Sequence, residues 1–236
     1  MSTIGTRGTL VEINLSALAS NDAAALALRR RFSTAGTKVA NLISSPGTGK
    51  TELVVRLCEE ASRRGVRMAV LVGDCATDND ARRIATAAPH ARQIVTDGLC
   101  HLEAAMVEAA LEGWELEEID LLVIENVGNL VCPSGFDLGE NVKVALVSVT
   151  EGEDKPVKYP HLFSSAGLVV ITKVDLAEAC ETDMEELHAN VQAVNPAAPC
   201  LETSAKRGTG LAGLLVSLIG GEDVQGPLSV DSGRWG

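Results

Sequence analysis

A short glycine-rich segment constrains the fold of this chain more than any other feature. Residues 44–51 read SSPGTGKT, after the aliphatic run Val39–Ser44 and before the helix-like stretch Thr51–Arg64. A strand, a glycine-rich turn and a helix N-terminus in this order make a loop whose backbone N–H groups converge on phosphate. Ser44 stands at the first glycine of the usual GxxxxGK[ST] pattern, and the remaining spacing is kept. We therefore predict a nucleotide-binding loop rather than a turn without ligand.

The loop supplies most of the predicted phosphate contacts. Lys50 is expected to bridge the β- and γ-phosphates, and the Thr51 hydroxyl is expected to coordinate Mg²⁺. The full set of predicted nucleotide contacts in the loop is Pro46, Gly47, Thr48, Gly49, Lys50 and Thr51.

The rest of the chain predicts an α/β fold around this loop. Of its 236 residues, 46% are hydrophobic but only 3% are aromatic, so small aliphatic side chains must fill the core. Short aliphatic runs without polar alternation separate helix-like segments, which is typical of a parallel sheet covered on both faces. We predict a three-layer P-loop NTPase fold with a mostly parallel central sheet covered by helices on both faces. Strands are expected at Val39–Ser44, Arg67–Val72, Gln93–Val95, Leu121–Glu125, Val142–Val149, Leu168–Thr172 and Cys200–Ser204, and helices at Leu15–Leu28, Thr51–Arg64, Asp80–Ala87, Leu102–Glu112, Asp183–Val194 and Leu211–Leu218.

The pattern also predicts three regions of unequal size. Residues 1–34 form an N-terminal extension with one packing or docking helix, residues 35–220 form the P-loop domain with any metal site, and residues 221–236 form a disordered tail. The tail is rich in Gly and Ser and lacks periodicity.

The net charge restricts the partners. Twenty Lys and Arg residues against 32 Asp and Glu residues give a formal net charge of −12 at pH 7, which repels nucleic-acid backbones. No apolar run approaches the roughly 18 residues of a membrane span, and residues 1–9 lack a signal-peptide pattern. We expect a cytoplasmic protein without a nucleic-acid or membrane partner, whose six scattered cysteines are thiols.

Two motifs at the last predicted strands indicate the base. Residues 172–175 read TKVD and resemble the guanine-reading NKxD motif, with Thr172 in place of the usual Asn. The Asp175 carboxylate can accept from guanine N1–H and its 2-amino group, two donors that adenine does not offer together. Lys173 is expected to cover the ring with its aliphatic stem. The following loop, Ser204, Ala205 and Lys206, matches a GTPase loop whose backbone N–H meets guanine O6, so GTP is favoured over ATP.

Carboxylates at predicted strand ends are candidates for Mg²⁺. Asp74 follows the run Arg67–Val72, and Glu125 ends another, so both are expected at the carboxyl edge where ligands bind in open α/β sheets. We predict that Asp74 and Thr51 hold Mg²⁺ and that Glu125 occupies the Walker-B position. Asp80 fits a helix cap and a nucleotide sensor equally well. The predicted catalytic residues are Lys50, Thr51, Asp74 and Glu125.

The segment after Glu125 resembles a nucleotide-sensing switch. Residues 125–128 read ENVG, like a DxxG motif with Glu for Asp, so the Gly128 N–H is expected at the γ-phosphate. No residue is an obvious water-orienting glutamine, and intrinsic hydrolysis is therefore expected to be slow.

Soft ligands occur near this switch. Cys100 and His101 are adjacent in a predicted loop, and Cys132 follows the switch. Thiolate and imidazole suit Ni²⁺ or Zn²⁺, but residue chemistry alone favours buried packing thiols over metal ligands. Three ligands leave a coordination position for water, another residue or a symmetry mate. Packing roles are expected for Cys58, Cys180 and Cys200, whereas Cys75 stays open between packing and a place near the nucleotide.

Longer segments resemble a known family. They resemble the HypB family, the nickel-insertion GTPases of [NiFe]-hydrogenase maturation, over roughly residues 10–219, and the run ENVGNLVCP is the most specific of them. The segments are Gly73-Asp74, Thr77, Asp80-Ala81, Gly98, Cys100–Leu102, Ile124–Pro133, Ser148–Pro156 and Lys158–His161.

The resemblance implies a function. It implies a SIMIBI-class GTPase that binds GTP, GDP and Mg²⁺, dimerises in a nucleotide- or metal-dependent way, and holds Ni²⁺ or Zn²⁺ at Cys100, His101 and Cys132. It also implies a HypA-type nickel metallochaperone and a hydrogenase large-subunit precursor as partners. The metal role of His161 stays open beside a structural one.

Some residues depart from the family pattern. Glu52 replaces a usual second hydroxyl residue, so an α-phosphate contact is expected to be lost. No cysteine precedes Cys58 and no histidine precedes His90, so the N-terminal nickel motifs of some members are not expected. Two alternatives are a urease-accessory nickel GTPase, whose Cys-Pro-His motif is poorly matched here, and a nucleotide-gated metal-binding or docking module with negligible turnover.

Overall fold

The computed structural model describes residues 6–74, 84–88 and 90–220. The predicted tail 221–236, the first half of the predicted helix Asp80–Ala87, and the singled-out residues Cys75, Thr77, Asp80 and Ala81 lie outside the described residues. Within them, the strands are β1 Lys38–Ile43, β2 Met68–Asp74, β3 His90–Val95, β4 Leu121–Glu125, β5 Val142–Ser148, β6 Leu168–Thr172 and β7 Cys200–Glu202. The α-helices are α1 Thr6–Ala35, α2 Lys50–Arg63, α3 Ala104–Ala110, α4 Lys155–Lys158, α5 Pro160–Ser165, α6 Met184–Val194 and α7 Leu211–Ile219. Short 3₁₀ turns lie at Leu116–Glu118, Pro133–Gly135, Val149–Glu151 and Val174–Leu176.

The described strands form one parallel sheet in the order β3-β2-β4-β1-β5-β6-β7. The predicted α/β fold with a parallel sheet is confirmed. Strand β1, which leads into the phosphate loop, lies between β4 and β5. In register, Leu42 of β1 stands beside Glu125 of β4, and Val72 of β2 stands on the other side of Glu125. The carboxyl ends of the central strands therefore meet around the phosphate loop.

Aliphatic side chains cover both faces of the sheet. On one face, α2 and α7 pack on alternate strand residues such as Val70 and Val123. On the other, α1 and α3 cover the intervening residues around Leu71 and Leu122, while α5 and α6 cover β5 and β6. This arrangement explains the continuous apolar runs, because a strand buried on both faces has no polar side to show.

Helix α1 is much longer than the predicted segment Leu15–Leu28. Its buried residues Ala25, Leu28 and Phe32 recur at helical spacing and join the same cluster as Leu71. The N-terminal helix therefore packs into the core beside the sheet.

Several boundaries differ from the sequence predictions. Helix α3 begins at Ala104, two residues after the predicted start, and strand β7 ends at Glu202, before the predicted Ser204. The short helices α4 and α5 were not predicted. Each has proline in its first turn, where the missing N–H costs nothing. Among the described residues, no helix combines the length and apolarity that a membrane crossing needs.

Candidate functional site

The phosphate loop has the backbone that its glycines predict. Gly47 and Gly49 adopt φ of +80° and +93°, a region that favours glycine, and Gly49 directly precedes helix α2. Lys50 is buried, and its Nζ lies 3.6 Å from Glu125 Oε1. The Thr51 hydroxyl donates to the same carboxylate oxygen at 2.7 Å. The structure thus brings together three of the four predicted catalytic residues.

The oxygens at this point fit Mg²⁺. The Glu125 side chain is 3% exposed and offers a carboxylate beside the Thr51 hydroxyl, and hard oxygen donors are the ligands that Mg²⁺ prefers. Asp74 ends strand β2, two positions beyond the residue that pairs with Glu125, and its backbone reaches the same edge of the sheet.

A cavity of about 220 Å³ opens beside the loop where the base is expected. Its lining residues are Thr48, Gly49, Glu52, Leu53, Thr172, Lys173, Asp175, Leu176, Thr203, Ala205 and Lys206. Half of the twelve predicted nucleotide contacts are in this set. Leu53, Leu176 and Thr203 were not predicted, because they flank the motifs and carry no motif signal of their own.

Hydrogen bonds hold the side chains that are predicted to contact the base. Ser204 Oγ donates to Asp175 Oδ1 at 2.5 Å, and the Ala205 carbonyl accepts from Arg56 Nε at 3.2 Å. Lys173 Nζ donates to the Gly47 carbonyl at 2.6 Å, so its stem crosses the phosphate loop. A Cβ on Gly49 would lie 3.3 Å from Lys173 Cε, and a small residue is needed there.

The unusual Thr172 keeps a structural role. Its hydroxyl, which is buried, donates to the Thr48 carbonyl at 2.7 Å. This bond ties the end of β6 to the phosphate loop. The replacement of Asn therefore leaves the loop tethered.

Glu151 also supports the loop, a role that the sequence prediction missed. Its Oε2 accepts from Thr48 Oγ1 and from the Ser148 N–H, both at 2.9 Å, and Lys155 Nζ lies 3.2 Å from Oε1. Burial raises the pKa of Glu151, but hydrogen bonds from Ser45, Ser148 and Thr48 outweigh it, and the pKa lies below its usual value. The Ser-x-x-Glu spacing of residues 148–151, a capping box, was the available signal.

The predicted switch packs directly against the loop. A Cβ on Gly128 would lie 3.2 Å from Pro46 Cγ and 3.3 Å from its nitrogen. The backbone of Gly128 is therefore close to the expected position of the phosphates, and Cys132 follows four residues later.

The predicted soft-metal ligands are only partly gathered. Cys100 Sγ lies 3.7 Å from His101 Nδ1, and both side chains are half-buried. Cys132 lies on a separate segment, directly before the 3₁₀ turn Pro133–Gly135. In the described ranges, no three His, Cys, Asp or Glu side chains come together as a metal-binding group.

A ring contact nevertheless links the two segments. The His101 imidazole stacks on Phe136, with ring centroids 3.8 Å apart and 27° between planes. Its Nε2 is buried and makes no hydrogen bond within the described part of the chain, and Glu103 Oε1 lies 3.7 Å away. The Asn126 side chain accepts from the Leu102 N–H at 3.4 Å, which connects the switch to the His101 loop.

The remaining thiols differ from one another. Burial raises the pKa of Cys58 to about 12 and that of Cys200 to about 11, so neither is a thiolate near neutral pH. Both pack against core clusters, as predicted. The packing prediction for Cys180 is wrong, because this residue is exposed in a hydrogen-bonded turn.

His161 Nδ1 lies 2.8 Å from Ser134 Oγ, next to the Cys132 segment.

Fold and site together define a P-loop nucleotide-binding protein with a guanine-type base pocket. The sequence family described as CobW/HypB/UreG, nucleotide-binding domain, matches residues 38–202. The hydrogenase maturation factor HypB of Azotobacter vinelandii is 46% identical over 202 residues, which cover 86% of this chain and 66% of that relative. The chain thus spans slightly less than two thirds of that protein's length.

Relatives from Helicobacter pylori are also similar. The hydrogenase/urease maturation factor HypB of strain 26695 is 39% identical over 193 residues, 80% of this chain and 78% of that protein. A crystal structure of HypB from Helicobacter pylori in complex with nickel superposes with a TM-score of 0.80 at 36% identity, covering 85% of this chain and 94% of that one. The chain therefore belongs to the CobW/HypB/UreG family and, within it, to HypB.

Proposed function

We propose that this chain is a GTP-hydrolysing nickel-handling protein that supplies Ni²⁺ for [NiFe]-hydrogenase maturation. The observation that carries the proposal is that one switch segment packs on the phosphate loop at Gly128 and leads to Cys132. The similarity to a HypB crystallised with nickel supports the same function. The urease-accessory alternative is not favoured, because residues 132–134 read Cys-Pro-Ser rather than Cys-Pro-His.

The nucleotide half of the mechanism uses the phosphate loop and the cavity beside it. Asp175 accepts from guanine N1–H and the 2-amino group, while Lys173 and the loop of Ser204, Ala205 and Lys206 enclose the base. Lys50 binds the β- and γ-phosphates. Thr51, Glu125 and Asp74 would hold Mg²⁺, which when bound would neutralise charge on the phosphate oxygens. The residue after Gly128 is Asn129 rather than glutamine, which supports a low intrinsic rate of hydrolysis.

In the proposed function, metal binding requires either a conformational change that moves Cys132 or association with a second copy of the chain. Ni²⁺, or Zn²⁺ in its place, is bound as cargo by Cys100, His101 and Cys132. GTP orders the switch, brings Cys132 toward the other ligands, and promotes a homodimer in which a second copy completes the coordination. Hydrolysis releases the metal toward a HypA-type metallochaperone or a hydrogenase large-subunit precursor in the cytoplasm.

Steady-state phosphate release tests the enzymatic part of this proposal. Wild type and Lys50→Ala are compared with GTP and ATP, with and without Ni²⁺, and Lys158→Ala, an exposed lysine on α4, is the matched control. We expect slow release from GTP by wild type and Lys158→Ala, little from ATP, and loss of release in Lys50→Ala. Equal release by wild type and Lys50→Ala would support a binding module without turnover instead.

A further inference from the structure

One asparagine of the N-terminal helix joins two distant segments of the chain. The Asn21 side chain is buried, with 6% of the residue exposed. Its Oδ1 accepts from the Ala104 N–H at 2.9 Å, and its Nδ2 donates to the Asp137 carbonyl at 2.8 Å. Both polar groups of the amide are therefore committed to backbone partners 83 and 116 residues away.

These two partners flank the His101–Phe136 ring stack. Ala104 lies three residues after His101, at the start of α3, and Asp137 directly follows Phe136. A single side chain thus fixes the backbone next to each ring of the stacked pair, whose centroids are 3.8 Å apart. A shift of Asn21 would change the distance between the imidazole and the ring that supports it.

Further contacts hold α1 against the Asp137 loop. Arg29 Nη2 lies 2.7 and 2.9 Å from the two carboxylate oxygens of Asp137. Burial raises the pKa of Asp137, but the hydrogen bond from Arg29 and the Gly139 N–H outweigh it, and the pKa is lowered. A Cβ on Gly139, which has φ of +81°, would lie 2.9 Å from the Ala25 carbonyl oxygen. The helix and the loop are therefore in direct backbone contact, with little freedom to slide.

The imidazole keeps one ring nitrogen available to a ligand. Its Nε2 is buried without a hydrogen bond to the described residues, and its Nδ1 faces Cys100 Sγ at 3.7 Å. Orienting partners outside the coordination sphere commonly set the affinity of such ligands.

We propose that Asn21 is a positioning residue for the metal-binding imidazole of His101, acting through the Phe136 stack. The N-terminal helix then supports the metal site from outside, in addition to any docking role. The inference deepens the proposed function and rests on it for the assignment of His101 as a ligand. Asn21 touches neither the metal nor the nucleotide.

The test compares two buried asparagines with the same bonding pattern. Asn195 Nδ2 donates to the carbonyls of Phe163 and Ala166 at 2.8 and 2.9 Å, and its Oδ1 accepts from the Ala198 N–H. Asn21→Ala and Asn195→Ala should lose similar stability. Ni²⁺ Kd from chelator competition, GDP Kd and the Ni²⁺ absorption spectrum are measured on the folded protein.

We expect Asn21→Ala to weaken Ni²⁺ binding by roughly tenfold and to alter the spectrum, with GDP affinity unchanged. Asn195→Ala should leave the Ni²⁺ Kd at the wild-type value. Phe136→Leu removes the stacked ring but keeps apolar bulk, and should weaken Ni²⁺ binding in the same direction. This second variant carries the test if Asn21→Ala does not fold.

His101→Ala separates the two possible failures. If it weakens Ni²⁺ binding while Asn21→Ala and Phe136→Leu match the Asn195→Ala control, the positioning role is overturned and the proposed function stands. If His101→Ala leaves the Ni²⁺ Kd unchanged, the ligand assignment itself fails, and the positioning role falls with it.

Discussion

The guanine pocket and the soft-metal region of this molecule differ in how far one chain completes them. In the pocket, hydrogen bonds within the chain already hold the key groups: Ser204 fixes Asp175, and the carbonyl of Gly47 fixes Lys173. In the metal region, Cys100 and His101 are adjacent, but Cys132 belongs to another segment, and the described part of the chain contains no three-ligand cluster.

Electrostatics accounts for the difference. In the base cavity, Ser204 Oγ donates to Asp175 Oδ1, so this carboxylate has a hydrogen-bond partner without the ligand. Thiol ligands lose their protons when the cation binds, so without the cation no charge attraction draws them together. The comparison teaches that one chain already forms the contacts around the base cavity, whereas its described residues do not bring the three predicted metal ligands together.

The strongest challenge to the preformed pocket is Asp175→Asn. The carboxamide presents an N–H toward the guanine donors, so two hydrogen bonds to a charged group are lost, about 3 kcal/mol or roughly 100-fold in GDP affinity. Xanthine carries a carbonyl at C2 that accepts this N–H, so xanthosine diphosphate should become the better ligand. Competition binding with the two nucleotides measures the ratio, and an unchanged preference for GDP would contradict the assigned role.

Cys132→Ala tests whether the two regions can be separated. We expect Ni²⁺ affinity to fall between roughly 10- and 100-fold, because a thiolate ligand is removed. GDP affinity should be unchanged, since Cys132 is not among the residues that line the base cavity. Cys180→Ala, at an exposed thiol, is the control. Loss of both affinities would point to a folding role for Cys132.

Thr172→Val tests the tether between the pocket and the loop. The substitution keeps the shape but leaves the buried Thr48 carbonyl without this donor, which costs about 1–2 kcal/mol of stability. Thr172→Asn, the residue usual in the motif, should retain the tether. Chemical denaturation with and without GDP gives both free energies of unfolding. The exposed Thr34→Val variant provides the baseline, and a Thr172→Val effect no larger than this baseline would count against the tether.

The smallest expected effect concerns pH and Glu151. Its pKa is lower in the folded protein than in the unfolded chain, so its ionisation stabilises the fold above the unfolded pKa. This stability is lost as the pH falls from the unfolded pKa toward and through the folded one. Glu151→Gln lacks the titrating group, so its stability should fall less steeply than that of wild type over this acidic range. Parallel acid slopes for the two proteins, measured by urea denaturation, would argue against the lowered pKa.

Local patterns made much of the nucleotide site predictable. Gly47, Gly49 and Lys50 lie within four residues of one another, so their local sequence is enough to indicate the loop. Strand ends such as Glu125 reach a common edge because the sheet is parallel. Contacts across long sequence separations could not be predicted in this way. The Thr48–Glu151 hydrogen bond spans 103 residues and the Asn21–Ala104 bond spans 83, and no periodicity encodes either. The packing prediction for Cys180 failed for a related reason. Whether a thiol is exposed depends on the turn in which it lies, and its residue type does not show this.

The incomplete metal site was also beyond sequence reasoning. Residue types identify Cys100, His101 and Cys132 as candidates, but whether one chain brings them together depends on tertiary structure. The family resemblance therefore named three ligands, which stay a prediction, and gave no account of how one chain would gather them.

Nickel titration in three nucleotide states tests the central claim most directly. Ni²⁺ Kd and stoichiometry, together with molecular mass in solution, are measured for the protein without nucleotide, with GDP and with a non-hydrolysable GTP analogue. Because Gly128 packs on the phosphate loop and leads to Cys132, we predict that Ni²⁺ binds more tightly in the GTP-analogue state, and by linkage that Ni²⁺ raises analogue affinity by the same factor. The same Ni²⁺ affinity in all three states would contradict the coupling.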